Sequence, residues 1–383
     1  MLQIAAAVEV ATCAGAGIST LYLSWLRARR SRSLSVIPRP GSDEITALRS
    51  QFGYNEHSLI GTSIDSEVWV SATKRGAVAY TQSGSIWIVA GEPIAADEDL
   101  VNITREFLAE ARSQRKTVAF LPTTERFAQA VAGDDFRIVK IGASPYFDLT
   151  NWDPRGNSAK HLRTGVNRGR RAGLTVTEVT DITPEFRAEV ARIMQEWGES
   201  RKAGVRFGWL FDLMPFDGVE SKRYFAARNE KGSLIGVLAA SSIPAREGWY
   251  LEDVFRCKGA PDGVSDLLVF ETLKALAASG AKVATLGTVP LSDRGGRGVS
   301  CGRNRLVEKS IDLSRKKLGS LYNFDGLAQF KSKFVPCWWE NEYIVVSKGQ
   351  LMSPPRVANA LFNVAVPGGL LGVLAIALLR DSN

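Results

Sequence analysis

Residues Tyr250 to Ser292 begin YLEDVFRCKGAPDGVSDLLVF and end VATLGTVPLS, and their pattern is the clearest structural signal in the chain. An apolar strand carries Asp253 and Arg256, and a loop containing Pro261 and Gly263 follows it. The next segment is apolar with a helical period, at Val264, Leu267, Leu268, Phe270, Leu273 and Leu276. A strand, a loop, a helix and a further short strand are therefore predicted in succession.

The acid and the guanidinium at the mouth of this strand–loop–helix unit suit substrate binding. Asp253 could accept a hydrogen bond from an amino group or a hydroxyl, and Arg256 could pair with a phosphate or a carboxylate. An ordinary surface ion pair is the alternative, because D-x-x-R pairs are common and weak. The spacing alone leaves both interpretations open.

Segments on both sides of this stretch predict two small units built from helices and strands. In the first, residues 42–155, the predicted strands are 68–72, 77–80, 86–90 and 118–121, with one or two more within 136–149. In the second, residues 156–348, they are 174–179, 224–227, 234–242, 249–255, 283–286 and 343–346. Helices flanking a largely antiparallel sheet predict an α+β layer fold.

The composition of the chain limits the kinds of binding partner and of metal or redox site to be expected. The net charge of +8 and the pI near 9.3 favour a polyanionic partner, either RNA or an anionic membrane surface. The four cysteines form no C-x-x-C spacing, so neither a zinc site nor a disulfide framework is indicated. The two histidines, His57 and His161, stand in no motif, and we expect neutral structural or surface roles for them. No metal site is expected.

Both ends of the chain have the composition of membrane segments. Residues 4–26 are apolar, and Arg27, Arg29, Arg30 and Arg32 follow at once. By the positive-inside rule, these arginines place the next domain in the cytoplasm. A cleaved signal peptide fits less well, because the charges follow the apolar run. Residues 27–41 resemble a basic linker, and the uncharged residues 357–379 predict a second transmembrane or interfacial segment.

Two basic clusters could contact phosphates. The helix predicted from Ser158 to Ala172 carries five basic residues and no acid, and we expect these to spread over most of its circumference: Lys160, Arg163, Arg168, Arg170 and Arg171. The second cluster is the glycine-rich loop from Arg294 to Lys317, whose R-G-G-R-G only weakly matches a pyrophosphate loop. A solvated helix face and a solvated loop are the alternatives.

Four segments in order carry a resemblance to a known family. They are the D-x-x-R stretch with its G-x-x-P-L-S strand end, the PYFDLTNW segment, the helix LRTGVNRGRRAGLTVTEV, and the C-terminal SLYNFDGLAQFKSKFVPCWWENEYIVV. Together they resemble the C-terminal catalytic region of the phosphatidylglycerol lysyltransferases, the aminoacyl-phosphatidylglycerol synthases. The resemblance covers roughly residues 50–347, and implies tandem acetyltransferase-like (GNAT-type) domains flanked by hydrophobic membrane segments.

The resemblance also implies a site. Its catalytic residues would be Asp253, Arg256 and Lys331. Its substrate-binding residues would be Arg163, Asn167, Arg168, Arg201 and Lys333. Lys331 and Lys333 point in different directions on a helix, so we expect at most one beside Asp253, with Lys331 preferred. No cofactor is expected, because acyl transfer from an ester needs a positioned nucleophile and a stabilised oxyanion.

The function implied is tRNA-dependent transfer of an amino acid, lysine by family default, from aminoacyl-tRNA to phosphatidylglycerol at the inner membrane. The product would weaken binding of cationic peptides. One apolar segment precedes the catalytic region where the relatives carry a multi-span flippase domain, so we expect that flipping is either absent or done by a separate flippase. Two alternatives remain: an N-acyltransferase that uses acyl-CoA or acyl carrier protein to make an amino lipid, and a non-catalytic module that binds anionic lipid or RNA. The fold also resembles that of the tRNA-dependent peptidoglycan-bridge transferases, although the two apolar ends favour a lipid acceptor.

Overall fold

A computed structural model describes residues 40–63, 65–200, 215–296, 298–299, 324–348 and 360. The predicted segments 4–26 and 357–379, apart from residue 360, and linker residues 27–39 lie outside the described part of the chain, as does Arg201. Among the described residues, no helix is both long enough and apolar enough to cross a bilayer.

The described residues form one mixed sheet of 13 strands. The strands are β1 Glu67–Val70, β2 Gly76–Ser83, β3 Ile86–Ala90, β4 Ile94–Ala95, β5 Thr117–Thr124, β6 Phe136–Asp148, β7 Thr175–Val179, β8 Lys222–Arg228, β9 Leu234–Ile243, β10 Gly248–Arg256, β11 Val283–Thr285, β12 Val289–Pro290 and β13 Trp338–Ser347. Their order across the sheet is β1-β2-β3-β5-β13-β6-β11-β10-β9-β8-β7, with β4 on β2 and β12 on β6.

Helices cover this sheet. They are α1 Ser42–Phe52, α2 Leu100–Ser113, α3 Glu125–Ala130, α4 Lys160–Arg171, α5 Pro184–Ser200, α6 Val264–Ala278 and α7 Phe324–Ser332. A 3₁₀ helix, Glu56–Thr62, follows α1. A layered arrangement of helices on a largely antiparallel sheet is what the sequence predicted, and the mixed α/β fold is confirmed.

The two halves of the sheet repeat one pattern. In the first half β1, β2 and β3 pair antiparallel, and helix α2 then crosses over to β5, which pairs parallel with β3. In the second half β7 to β10 pair antiparallel, and helix α6 crosses over to β11, which pairs parallel with β10. Each crossover helix buries an apolar face on its own half, since Phe107 of α2 and Leu268 of α6 are fully buried.

The last strand of the described chain lies in the middle of the sheet. Strand β13 pairs antiparallel with β5 on one side and with β6 on the other. Its Tyr343 and Val345 are fully buried in the core of the first half, together with Phe107 and Phe120. Residues more than 200 positions apart in the sequence therefore share one core.

The second half has a core on each face of its sheet. Helices α4 and α6 pack on one face, where Leu162, Leu268 and Leu251 are buried together. Helix α5 packs on the other face, where Val190 and Phe255 meet. Successive side chains of a strand point to opposite faces, so the residues of β10 are divided between these two cores.

Candidate active site

The sheet opens at the end of β11. Strands β10 and β11 pair only from Gly248 to Tyr250, and β11 ends at Thr285. Immediately beyond this point β10 has a bulge between Leu251 and Asp253. Bulges re-aim side chains and commonly occur beside functional sites. The opening therefore brings polar side chains of β10 next to the loop that follows β11.

Both members of the D-x-x-R pair follow the bulge on β10. Asp253 is 1% exposed and lies opposite Ala239, on the face of the sheet covered by α5. Arg256 ends the strand and is exposed. After the bulge, positions 253 and 256 point to opposite faces of the strand. Asp253 is thus buried on the α5 face just past the last β10–β11 pair, and Arg256 is exposed at the end of β10, before the loop to α6.

Lys331 reaches this opening from helix α7. Its ammonium group donates hydrogen bonds to the carbonyl oxygens of Gly287, at 2.7 Å, and Thr288, at 2.9 Å. Burial is the main cause that lowers the pKa of Lys331 to about 8, while the charges of Glu56 and Glu342 act to raise it. The lysine therefore gains or loses its proton near neutral pH.

Gly287 is needed for the close approach of the loop to β10. Its φ of +72° is one that glycine adopts freely, and a Cβ atom here would lie 2.5 Å from the ring of Tyr250. The ring of Tyr250 in turn lies edge-on to His57, with ring centroids 5.8 Å apart. Tyr250 and the loop that carries the Lys331 contacts are thereby held together, and Asp253 follows on the same face of β10, past the bulge.

Two acids that sequence reasoning missed lie beside this loop. Glu56 starts the 3₁₀ helix and Glu342 lies on β13, and they are 5% and 6% exposed. The Ser144 hydroxyl on β6 contacts both: it is 3.3 Å from Oε1 of Glu56 and in direct hydrogen-bond contact with Oε1 of Glu342. Thr288 donates to the other oxygen of Glu342 at 2.6 Å.

Burial gives these two acids different proton affinities. Burial, together with the nearby negative charge of Glu56, raises the pKa of Glu342 to about 7. Burial also acts to raise the pKa of Glu56, but His57, Lys331 and Arg246 outweigh it and leave that pKa below its ordinary value. Pairs of carboxyl groups whose environments separate their pKa values are typical of acid–base sites.

His57 differs from the neutral role expected for it. It is 6% exposed, and its Nε2 lies 3.5 Å from Oε1 of Glu56, an ionic contact too long for a normal hydrogen bond. Burial works against its charged form, but the Glu56 carboxylate outweighs burial and raises the pKa of His57. Two features of the sequence could have pointed to these buried acids. Glutamates stand at alternate positions in the strand WWENEYIVV, and Glu56-His57 stands beside an apolar run.

The crevice at these acids is narrow, with a cavity volume of only about 10 Å³, and is lined by Asn55, Glu56, His57, Tyr146, Glu340 and Glu342 among others. A larger groove lies elsewhere, between α1 and the start of α2, where Leu48, Phe52 and Asp99 line it. Since that groove contains none of the residues above, we place the candidate site at the sheet opening.

The predicted substrate-binding residues of helix α4 lie on one exposed face. All five basic residues of the helix are exposed, and Asn167 is exposed with them. Leu162, Gly165, Val166 and Gly169 form the opposite, buried face. With 3.6 residues per turn, the basic positions fall within less than half of the circumference. The expectation that they spread over most of it was wrong, because the small and apolar residues take the other side.

Helix α4 also covers the start of α6. Gly165 and Gly169 pack so closely that added Cβ atoms would lie within 3.1 Å of Asp266 and of the Gly263 carbonyl. Lys333, the second lysine of the F-K-S-K-F segment, forms an ion pair with Asp266 here. Lys331 and Lys333 therefore point to different places: Lys331 lies at the sheet opening, and Lys333 at the contact between α4 and α6.

The glycine-rich basic loop is described only in its first part. Lys140 of β6 donates to the carbonyl oxygens of Arg294, at 2.7 Å, and Gly296, at 2.9 Å. Residues 301–317 of the loop lie outside the described residues. Within the described part of the chain, no three His, Cys, Asp or Glu side chains are arranged to hold a metal ion.

Fold and site together define a layered α/β protein with a buried acid–lysine cluster at a strand opening. The sequence profile of the phosphatidylglycerol lysyltransferase C-terminal family matches residues 48–346, and the chain belongs to that family. The matched range contains the whole sheet opening, with Lys331, Glu56 and Glu342, and also Asp253.

Two individual relatives are similar to this chain over two thirds or more of its length. An MprF-like domain protein of Mycobacterium tuberculosis is 23% identical over 303 residues, which are 76% of this chain and 60% of the relative. The bifunctional lysylphosphatidylglycerol biosynthesis protein LysX of Rhodococcus jostii is 26% identical over 266 residues, 67% of this chain and 22% of the relative. The chain thus spans less than two thirds of the length of either relative.

A solved structure has the same fold. The C-terminal DUF2156 domain from Agrobacterium fabrum superposes with a TM-score of 0.70 at 22% identity, covering 87% of this chain and 99% of that domain.

Proposed function

We propose that this protein transfers an amino acid from aminoacyl-tRNA to a hydroxyl group of phosphatidylglycerol, with lysine as the first amino acid to test. The observation that carries the proposal is the buried cluster of Lys331, Glu56 and Glu342 at the sheet opening, in a chain that also buries Asp253 on β10 and is matched to the lysyltransferase family from residue 48 to residue 346. We propose two acetyltransferase-like units as the fold of this enzyme, in line with the repeated strand pattern.

The chemistry requires positioning more than an activated cofactor. The lipid hydroxyl oxygen attacks the ester carbonyl carbon, the bond to the tRNA ribose oxygen breaks, and the hydroxyl proton ends on that ribose oxygen. Asp253 would hold the amino group of the donor or the attacking hydroxyl. Lys331, with two of its three ammonium protons given to carbonyls, would direct the third at the developing negative charge.

The exposed basic face of α4 supports a polyanionic substrate. Arg163, Asn167 and Arg168 lie on this face, where a phosphate backbone or an anionic lipid surface could be bound. Arg256, exposed at the end of β10, would add one phosphate contact. Each basic side chain near an anionic membrane contributes about 1 kcal/mol.

The packing of α4 favours aminoacyl-tRNA over acyl-CoA as the donor. A pyrophosphate would bind where a strand leads through a loop into a helix N-terminus, which in this half is the start of α6 at Gly263. That end is covered, because a Cβ atom on Gly263 would lie 2.2 Å from the carbonyl oxygen of Gly165. An acyl-CoA donor would therefore need helix α4 to move away.

We propose the cytoplasmic face of the inner membrane as the location, on the basis of the apolar residues 4–26 and the arginines after them. A separate flippase would then deliver the product lipid to the outer leaflet.

The first test is lipid extraction, with mass spectrometry, from cells that express the full chain. A new aminoacyl-phosphatidylglycerol is expected with the wild type and with Asp181→Asn, an exposed acid-to-amide control. It should be absent with Asp253→Asn at equal protein level. Synthesis retained in Asp253→Asn would remove Asp253 from the mechanism, and no new lipid in the wild type would contradict the transfer itself.

Ribonuclease treatment of a membrane assay separates the two donors. Transfer that stops after the treatment and returns with added aminoacyl-tRNA supports the tRNA route. Transfer that continues and depends on acyl-CoA would establish the alternative N-acyltransferase.

A further inference from the structure

The Ser144 hydroxyl joins two carboxyl groups that come from distant parts of the chain. Glu56 belongs to the 3₁₀ helix, Ser144 to β6 and Glu342 to β13, and none of the three is more than 6% exposed. Oε1 of each acid faces the same serine oxygen. The Tyr146 hydroxyl lies 3.4 Å from the other oxygen of Glu56, and Thr288 donates to the other oxygen of Glu342.

One hydroxyl proton cannot satisfy two carboxylates. A serine hydroxyl donates a single hydrogen bond and accepts others. If both acids were ionised, Ser144 could donate to one of them, and its oxygen would face the second carboxylate with no proton between them. A proton on Glu342 resolves this, because Glu342 then donates to Ser144 and Ser144 donates to Glu56. The contacts therefore fit a pair that holds one proton.

Charged and titratable groups surround the pair on every side. His57 faces it from the 3₁₀ helix, Tyr146 from β6, Arg246 from the turn before β10, Tyr250 from β10, Lys331 from α7 and Glu340 from β13. Arg246 is bound by Glu340 through two contacts, at 2.8 and 2.5 Å, so its charge is largely compensated. His57, whose Nε2 makes no hydrogen bond within the described part of the chain, lines the same crevice. Among the residues that the structure describes, the positive charges left to balance the pair are His57 and Lys331.

We propose that Glu56 and Glu342 share one proton through Ser144, and that this pair acts as a positioning device which keeps Lys331 charged for the transfer reaction. The first half of the statement concerns the protein alone, and the second half rests on the proposed function. When the pair releases its proton, its second negative charge makes Lys331 hold its own proton more tightly. The shared proton leaves through the crevice to solvent, and no bond other than O–H is made or broken.

The proton affinities agree with this arrangement. The pKa of Glu342 is raised to about 7 by burial and by Glu56, and the pKa of Lys331 is lowered to about 8 by burial. The two groups therefore exchange protons with solvent in neighbouring pH ranges. A change in the charge of one group shifts the pKa of the other.

Infrared spectroscopy of the full chain tests the shared proton without any substrate. A protonated carboxyl band is expected at slightly acid pH, lost as the pH rises through about 7 and absent in Glu342→Gln. In Glu56→Gln the band should titrate at lower pH, since one negative neighbour is gone. Glu92→Gln, a buried acid bound to Thr124 and Arg126 outside the cluster, is the matched control and should keep the band. No such band in the wild type, or a band unchanged in Glu342→Gln, would overturn the proposal.

Nuclear magnetic resonance of ¹³C-labelled lysine tests the effect on Lys331. The resonance, assigned with Lys331→Arg, should titrate about one pH unit lower in Glu342→Gln, because a negative neighbour that favours the ammonium has been removed. Unchanged titration in Glu342→Gln and Glu56→Gln would refute the positioning role.

Activity gives the third readout. The alkaline limb of kcat/KM should move to lower pH in Glu342→Gln and stay in place in Glu92→Gln. Because the infrared and resonance measurements need no turnover, a wild type without transfer activity would refute the proposed function and leave the shared proton standing.

Discussion

Charged side chains at the sheet opening are buried, and burial decides their chemistry. Desolvation disfavours the charged form of any group, so it raises the pKa of a carboxyl and lowers that of an amine. Glu342 and Lys331 follow this rule and come to titrate at about 7 and about 8. Residues that are fully charged on a surface thus become able to exchange protons near neutral pH.

Removing the Glu342 carboxyl should change how stability depends on pH. The folded protein holds a proton on Glu342 up to about pH 7, whereas the unfolded chain releases it near the ordinary value of 4.5. Its contribution to the free energy of unfolding is therefore complete below pH 4.5 and is lost as the pH rises through about 7. The total loss is on the order of 3 kcal/mol.

Urea unfolding on both sides of this window measures the effect. Relative to Glu342→Gln, the wild type should become less stable as the pH rises through the window. Glu98→Gln, in which an exposed carboxylate is lost, is the control and should run parallel to the wild type. Parallel curves for the wild type and Glu342→Gln would contradict the raised pKa.

Helix α4 shows how small residues position an element. Its G-V-N-R-G run places Gly165 and Gly169 one turn apart on the buried face, against Asp266 and Leu267 of α6. Leu162 and Val166 extend this face into the core. The absence of side chains at the two glycines lets the helices approach closely, and the exposed face of α4 is left free for basic residues.

Substituting Gly165 by alanine should destabilise the protein although alanine favours helix. The added Cβ would overlap the carboxylate of Asp266, which is itself held by Lys333. Overpacking of this kind costs about 1–3 kcal/mol, more than the roughly 1 kcal/mol gained in helix propensity. Thermal or urea unfolding measures the difference, with Thr164→Ala on the exposed face as the control. A Gly165→Ala protein as stable as the wild type would show that α4 is not held at this distance.

Across the whole molecule, strand β13 ties residues 338–347 to the first half of the sheet. It completes the sheet between β5 and β6, and its Tyr343 is fully buried in the first half. Its Glu342 and Glu340 contribute to the site between the halves. The predicted domain boundary at residue 155 stays a prediction. A first domain that ends there would lack β13, the strand that lies between β5 and β6 in the sheet.

Residues 40–155 expressed alone should therefore fail to fold cooperatively. Strands β5 and β6 would expose unpaired edges, and the core around Phe107 and Phe120 would lose two buried side chains of β13. The same segment joined by a flexible linker to residues 336–348 is the matched partner and should show a cooperative thermal transition by circular dichroism. Equal cooperativity of the two proteins would make β13 dispensable to the first half.

Most of the helices and strands, and the family, could be predicted from the amino-acid sequence alone. Local periodicity predicted most helices and strands, because each depends on side chains a few positions apart. Motifs in order identified the family and singled out Asp253 and Lys331. The composition of the site could not be predicted in this way, since Glu56, Ser144 and Glu342 are brought together by pairing across the sheet. Burial, which no local pattern reveals, then turned two ordinary glutamates, a histidine and a lysine into one coupled proton-binding cluster.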